Sequence, residues 1–253
     1  MIQLFKKKDS EFSDIVGYDD IKELLTKLIH EEENQQMNVL LLGSPATSKT
    51  LFLKSIRKQF NELDCVYFDF SNTTGRGFLK AIIEARELQK EKQKGLFKNK
   101  NQPLILLLDE IDKIKPRSDL NMLLNLLEGQ EVHYTTANFE YHISIPIRVF
   151  ATTNSTKVLP KPFISRFMVL QLGDYSQEDF IKISVGISKE HLRVKNDQAR
   201  EEIAEEIATK LYKKNIKDIR QIINIMKLYN LYKNKPVDQI IEFQNKYTNE
   251  ETE

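Results

Sequence analysis

Gly43-Ser44-Pro45-Ala46-Thr47-Ser48-Lys49-Thr50 follows the apolar run Val39-Leu40-Leu41-Leu42 and precedes an amphipathic run that begins at Leu51. An unbroken apolar run suits a strand buried on both faces, and the small residues after it suit a tight loop leading into a helix. Backbone N–H groups of such a loop converge on phosphate oxygens, and the helix start adds partial positive charge. Lys49 would reach the outer phosphates, and the Thr50 hydroxyl would ligate Mg²⁺. The usual pattern is G-x-x-x-x-G-K-[ST]. Here Ser48 stands where the second glycine belongs, so a residue with a Cβ must accept any backbone strain the turn imposes.

A second segment supplies carboxylates. Pro103-Leu104-Ile105-Leu106-Leu107-Leu108 has the length and apolarity of a central strand of a parallel sheet, and it ends in Asp109-Glu110-Ile111-Asp112. Acidic groups at the carboxyl end of a buried strand lie on the rim where open α/β sheets bind ligands. Asp109 is placed to hold Mg²⁺, and Glu110 to orient and deprotonate an attacking water. Adjacent carboxylates repel unless a cation joins them, which favours a site over a solvated turn.

Three shorter fragments follow. Ile147-Arg148-Val149-Phe150-Ala151 reads as another buried strand ending in Thr152-Thr153-Asn154, whose amide can hold the water or the γ-phosphate. Ile164-Ser165-Arg166-Phe167 precedes the strand Met168-Val169-Leu170, and Asp218-Ile219-Arg220-Gln221 opens a late helix.

In this order the fragments resemble the motifs of the AAA+ ATPases over about residues 12–235. Gly43–Thr50 resembles Walker A, Leu104–Glu110 Walker B, Asn154 sensor 1, Arg166 the arginine finger and Arg220 sensor 2. Asp14-Ile15-Val16-Gly17-Tyr18 is similar to the family's adenine-binding segment. The resemblance implies ATP and Mg²⁺ as cofactors. It implies nucleotide contacts from Ile15, Val16, Gly43, Ser44, Pro45, Ala46, Thr47, Ser48, Lys49, Thr50, Leu51, Tyr175 and Arg220, and metal contacts from Thr50 and Asp109. Glu110, Asn154, Arg166 and Arg220 carry its catalytic roles, Arg166 acting on the neighbouring copy in a homo-oligomeric ring, by expectation a hexamer. Small residues replace the second Walker glycine in the MoxR and MCM branches. The insert before Ile147 and the ending Ala151-Thr152-Thr153-Asn154 also resemble the RuvB branch. Ala46, for the usual glycine, is a second departure.

The expected fold is α/β: a parallel-sheet P-loop core over residues 1–173, followed by a small all-helical lid over 174–253. Strands are expected at 37–42, 64–70, 103–109, 147–152 and 167–172, separated by helices at 19–32, 49–60, 78–94 and 118–128. Residues 131–145 alternate as a hairpin does. Beyond Gly173 only helical periods occur, at 176–187, 197–213, 216–230 and 236–245. At 253 residues the chain can bury one large core and a smaller one.

Charge bears on the substrate. Lys and Arg nearly balance Asp and Glu, giving a formal net charge of +1, whereas nucleic-acid binders usually carry a basic excess. Arg76 is the one charge in the candidate pore loop Thr73–Gly77, and the hairpin tip Thr135-Thr136-Ala137-Asn138 has no Lys or Arg. The Lys-rich stretch Lys90–Lys100 reads as a solvated helix end. The lone cysteine, Cys65, excludes an internal disulfide and reads as an inert core residue. No apolar run approaches the roughly 20 residues that span a bilayer, and the start lacks the signal-peptide order of charge then apolar stretch. A cytoplasmic protein is expected, with no membrane partner. The resemblance implies an ATP-hydrolysing, ring-forming RuvB-like DNA helicase or translocase; the alternatives are a MoxR-like protein remodeller and a nucleotide-switched scaffold with little turnover.

Overall fold

The computed structural model describes residues 11–30, 37–72, 75–92, 103–115, 117–129, 131–135, 140–232 and 235–248. The first unit alternates helix and strand: α1 (Asp19–His30), β1 (Val39–Gly43), α2 (Lys49–Arg57), β2 (Cys65–Asp69), α3 (Gly75–Lys92), β3 (Leu104–Asp109), a 3₁₀ turn (Ile111–Lys113), α4 (Arg117–Gly129), β4 (Glu131–Thr135), β5 (Glu140–Ser144), β6 (Ile147–Thr153), α5 (Lys161–Ile164) and β7 (Met168–Leu172). Among the described residues β4 and β5 pair antiparallel as the expected hairpin. The other strands form one parallel sheet in the order β2-β3-β6-β1-β7.

The apolar runs mark which strands lie inside the sheet. β3 and β6 are buried at every residue and lie inside the sheet, while the edge strand β7 alternates between partly exposed and exposed positions before Leu172. Leu104, Leu106 and Leu108 of β3 pack on one face with Phe78 and Ile82 of α3 and with Leu123 of α4. Ile105 and Leu107 face the other way, against Leu25 of α1 and Phe52 and Leu53 of α2. Period-two alternation thus feeds both faces of one sheet, as a doubly covered parallel sheet requires. Arg148 interrupts the apolar β6, and its guanidinium donates to the Leu28 carbonyl at 2.6 Å, near the negative end of α1. Cys65 is buried as expected, and burial pushes its thiol pKa up to about 12.

The second unit is helical: α6 (Gln177–His191), α7 (Asp197–Lys213), α8 (Ile219–Leu231) and α9 (Val237–Thr248). Ser176 caps α6 by accepting from the Asp179 N–H at 3.1 Å, Asn196 caps α7, and Asp218 caps α8. Each cap satisfies an otherwise unpaired N–H at the helix start. Phe180, Ile207, Leu211, Ile222, Met226 and Ile241 form its apolar interior. The chain divides into compact units of Met1–Ser44 with Ser48–Leu172, and Pro45–Thr47 with Gly173–Glu253.

Several boundaries differ from the expected ones. α3 starts at Gly75 rather than residue 78, so Gly75, Arg76 and Gly77 form its first turn instead of a loop. Phe78, Leu79 and Ile82 are buried there, and packing of that face outweighs the low helix propensity of two glycines. The tip residues Thr136-Ala137-Asn138, the loop residues Thr73 and Thr74, and most of Lys90–Lys100 lie outside the described residues. Among the described residues no helix is long and apolar enough to cross a membrane.

Candidate nucleotide site

All five strands of the sheet run the same way, so their carboxyl ends share one rim. Gly43, Asp109 and Thr152–Asn154 reach that rim from β1, β3 and β6. The loop after β1 contains two non-glycine residues in the left-handed region, Ala46 at φ 65° and Ser48 at φ 60°. These are the two positions where the usual motif has glycine. The local backbone therefore keeps the glycine conformation although the side chains are not glycine. A left-handed non-glycine residue costs roughly 1–2 kcal/mol, partly offset by its lower entropy in the unfolded chain. Ser48→Gly and Ala46→Gly are each expected to raise stability by about 0.5–1 kcal/mol. Urea unfolding should show a higher midpoint at unchanged slope, and a lower midpoint for both would contradict this loop geometry.

Lys49 opens α2 and is buried; its ammonium donates to the carbonyls of Gly43 at 2.8 Å and Ser44 at 2.7 Å. It is thus held within the loop whose bound phosphates it would neutralise. Thr50 donates its hydroxyl to Asp109 Oδ2 at 2.9 Å, bringing together residues 59 positions apart. Asp109 is only 5% exposed. Its Oδ2 also accepts from the Tyr67 hydroxyl at 2.7 Å, and its Oδ1 accepts a short bond from the Thr152 hydroxyl. Burial first, then the Asp109 carboxylate, pushes the Tyr67 phenol above its ordinary pKa, so it remains a donor. The Thr50–Asp109 pair fits a small hard cation, because Mg²⁺ takes oxygen ligands, few of them from protein, and keeps several waters.

Glu110 sits beside this pair in a strained left-handed conformation, φ 55° and ψ 50°. Strained non-glycine residues gather at functional sites, where surrounding contacts hold them. Here the Glu110 N–H donates to Thr152 Oγ1 at 2.9 Å. Asp112 in the following 3₁₀ turn accepts from Thr153 Oγ1 at 3.1 Å and from the Asn154 N–H at 3.3 Å. β3 and β6 are therefore cross-tied beyond the sheet, and Glu110 and Asn154 are held on one rim. Ile15 is buried against α1 and α2, with Val16 beside it, while Leu51 is exposed on α2. In the second unit Tyr175 is buried, and Arg220 is exposed in the first turn of α8.

Arg166 is not part of this rim. Its carbonyl accepts from Asn38 Nδ2 at 3.3 Å, just before β1. Asn38 also accepts from Val149 N–H at 3.2 Å and, through its own carbonyl, from Met168 N–H at 2.8 Å. Arg166 therefore lies at the amino ends of the strands, with β7 running from Met168 beside Val39 to Leu172 beside Gly43. Four residues at about 3.3 Å each put roughly 13 Å of sheet between that end and the phosphate loop. The Arg166 guanidinium pairs with Glu128 of α4 at 2.5 Å, both side chains being 42% exposed. With Asn38, Leu127 and Ser165 they line a recess of about 460 Å³.

Tyr67, Asp112, Thr152 and Asn38 were not singled out as site residues by sequence reasoning. Tyr67 lay within an apolar run, and only the β2–β3 register discloses its partner. Asp112 and Thr152 stood in quoted motifs, but the bonds from Thr153 to Asp112 and from Thr152 to Asp109 depend on the β3–β6 neighbourhood.

The fold and site define a P-loop α/β nucleotide-binding protein. The AAA family (ATPase family associated with various cellular activities) matches residues 39–174. The chain belongs to this family. Among curated proteins it is 26% identical over 174 residues to a Lon protease of Lachnoclostridium phytofermentans, covering 64% of this chain and 20% of that protein. It is 25% identical over 135 residues to the replication factor C large subunit of Aeropyrum pernix, covering 51% of this chain and 26% of that protein. The chain thus spans about a fifth of the length of the Lon relative. Among solved structures, a variant of Thermotoga maritima RuvB superposes with a TM-score of 0.61 at 18% identity, covering 92% of this chain and 71% of that one. A second variant of the same protein gives 0.59 at 18% identity, over 92% and 70%. At that identity the likeness is one of fold.

Proposed function

We propose that this chain binds and hydrolyses ATP and couples turnover to remodelling of a polypeptide, acting as a ring of copies. The Thr50–Asp109 contact carries the reading, because it joins a cationic phosphate loop to a buried carboxylate at one sheet rim. Lys49 and the loop N–H groups would hold the phosphates. Thr50 and Asp109 would hold Mg²⁺, which when bound neutralises phosphate charge. Glu110 would orient the attacking water and take its proton, with the Asn154 amide fixing the water or the γ-phosphate. Arg166, at the far end of the sheet, would serve the nucleotide of a neighbouring copy rather than its own. Ile15, Val16 and Leu51 would frame the base, and residues 174–253 would act as the lid, contributing Tyr175 and Arg220.

Polypeptide is preferred over DNA because the sequence relatives include several Lon proteases and the chain carries no basic excess. A role on DNA is the second reading, favoured by the replication factor C relative.

ATP hydrolysis measured at rising protein concentration, alone and with unfolded polypeptide or DNA, tests both. Specific activity is expected to rise with concentration and to rise further with polypeptide. Stimulation by DNA alone, weakening with salt, would transfer the assignment to the second reading. No hydrolysis at any concentration would remove the enzyme. Lys49→Ala is expected to weaken ATP binding about ten- to a hundredfold, through loss of a charge-assisted contact. Undiminished affinity in a titration with fluorescent ATP would refute the phosphate-loop assignment.

A further inference from the structure

We infer that Tyr67 is a positioning residue for Asp109, fixing the plane of its carboxylate so that Oδ2 and the Thr50 hydroxyl meet a divalent cation together. The inference rests on the nucleotide reading above. Asp109 is buried, and among the described residues its carboxylate is held by three hydroxyls: Tyr67 and Thr50 on Oδ2, Thr152 on Oδ1.

A carboxylate fixed at one oxygen can still swing about its terminal bond. Thr152 holds one oxygen and Tyr67 the other, from the two strands that flank β3. Thr50 is the group that would turn toward the cation, so it cannot act as the fixed anchor. Tyr67 can, because its ring is seated independently. It packs against the apolar cluster of α1 and α2, and the Arg57 guanidinium lies 6.0 Å from its centre. β2 and β3 pair Tyr67 with Leu107, two residues before Asp109, so a long side chain is needed to reach the rim. Phenylalanine would fill the same space and leave Oδ2 without its outer support.

Outer partners of metal ligands typically contribute ten- to a hundredfold in metal affinity. In Tyr67→Phe, the Mg²⁺ concentration giving half-maximal binding of a slowly hydrolysed fluorescent ATP analogue should rise at least tenfold. Nucleotide affinity in EDTA should stay within about twofold of the parent chain. A Mg²⁺ midpoint moved less than twofold would overturn the inference. An equal loss with and without Mg²⁺ would also overturn it, since the phenol would then support the loop rather than the cation site. Asp109→Asn provides the reference for losing the cation site itself. If the parent chain binds the analogue but gains nothing from Mg²⁺, the metal assignment of Thr50 and Asp109 fails, a result distinguishable from a failure confined to Tyr67.

Discussion

Arg166→Ala is expected to slow ATP turnover by about three to five powers of ten while nucleotide affinity stays near that of the parent chain. The size follows from where charge develops. The transferred phosphoryl group spreads negative charge over its equatorial oxygens, and a guanidinium delivered there stabilises the transition state more than bound ATP. The location of Arg166 sets the form of the test. Its own phosphate loop is at the opposite end of β1, so the loss should appear in assembled protein and be nearly invisible in dilute monomer. The Glu128 ion pair is half-exposed, and such pairs hold little energy, so it does not prevent release to a phosphate. A structural role for that pair alone predicts a small fall in thermal midpoint and unchanged turnover, which would remove Arg166 from the chemistry.

Glu110→Gln is expected to retain ATP binding and lower hydrolysis by about two to four powers of ten, the range of a lost general base. The substitution keeps size and the strained backbone, so the rim should persist. Turnover within threefold of the parent would exclude Glu110 as the group that activates water. The two variants together probe action between copies. Arg166→Ala still has its own carboxylate, and Glu110→Gln still has its arginine, so mixed assemblies contain complete composite sites. Recovery of part of the activity on mixing is expected. Its absence in assemblies demonstrated to be mixed would count against catalysis across an interface.

Much of this site could be read before any coordinates. β3 and β6 announce themselves because a strand covered on both faces must be apolar throughout, and Asp109, Glu110 and Asn154 stand where those runs stop. The start of α8 was legible in Asp218-Ile219-Arg220-Gln221, where the structure has Asp218 capping the helix. What stayed hidden depends on neighbours remote in the chain. The order β2-β3-β6-β1-β7 has no local signature. Tyr67 looks like any strand aromatic until β2 is laid beside β3, and Arg148 looks misplaced until the end of α1 is set over β6. The two glycines of α3 signalled a loop, and burial of Phe78 and Ile82 overrode them. The bent loop after β1 was legible in a different sense: Ala46 and Ser48 adopt the torsions that the missing glycines would have taken freely.

Because the parallel sheet carries its acceptor chemistry at one end and Arg166 at the other, a single copy is vectorial. If Arg166 serves a neighbour as proposed, an open stack of copies would leave the outermost member at one end without a donor, and the member at the other end would offer its arginine to nothing. The proposed ring would leave no idle terminus, and losing one copy from it would then silence a site on its neighbour as well as its own.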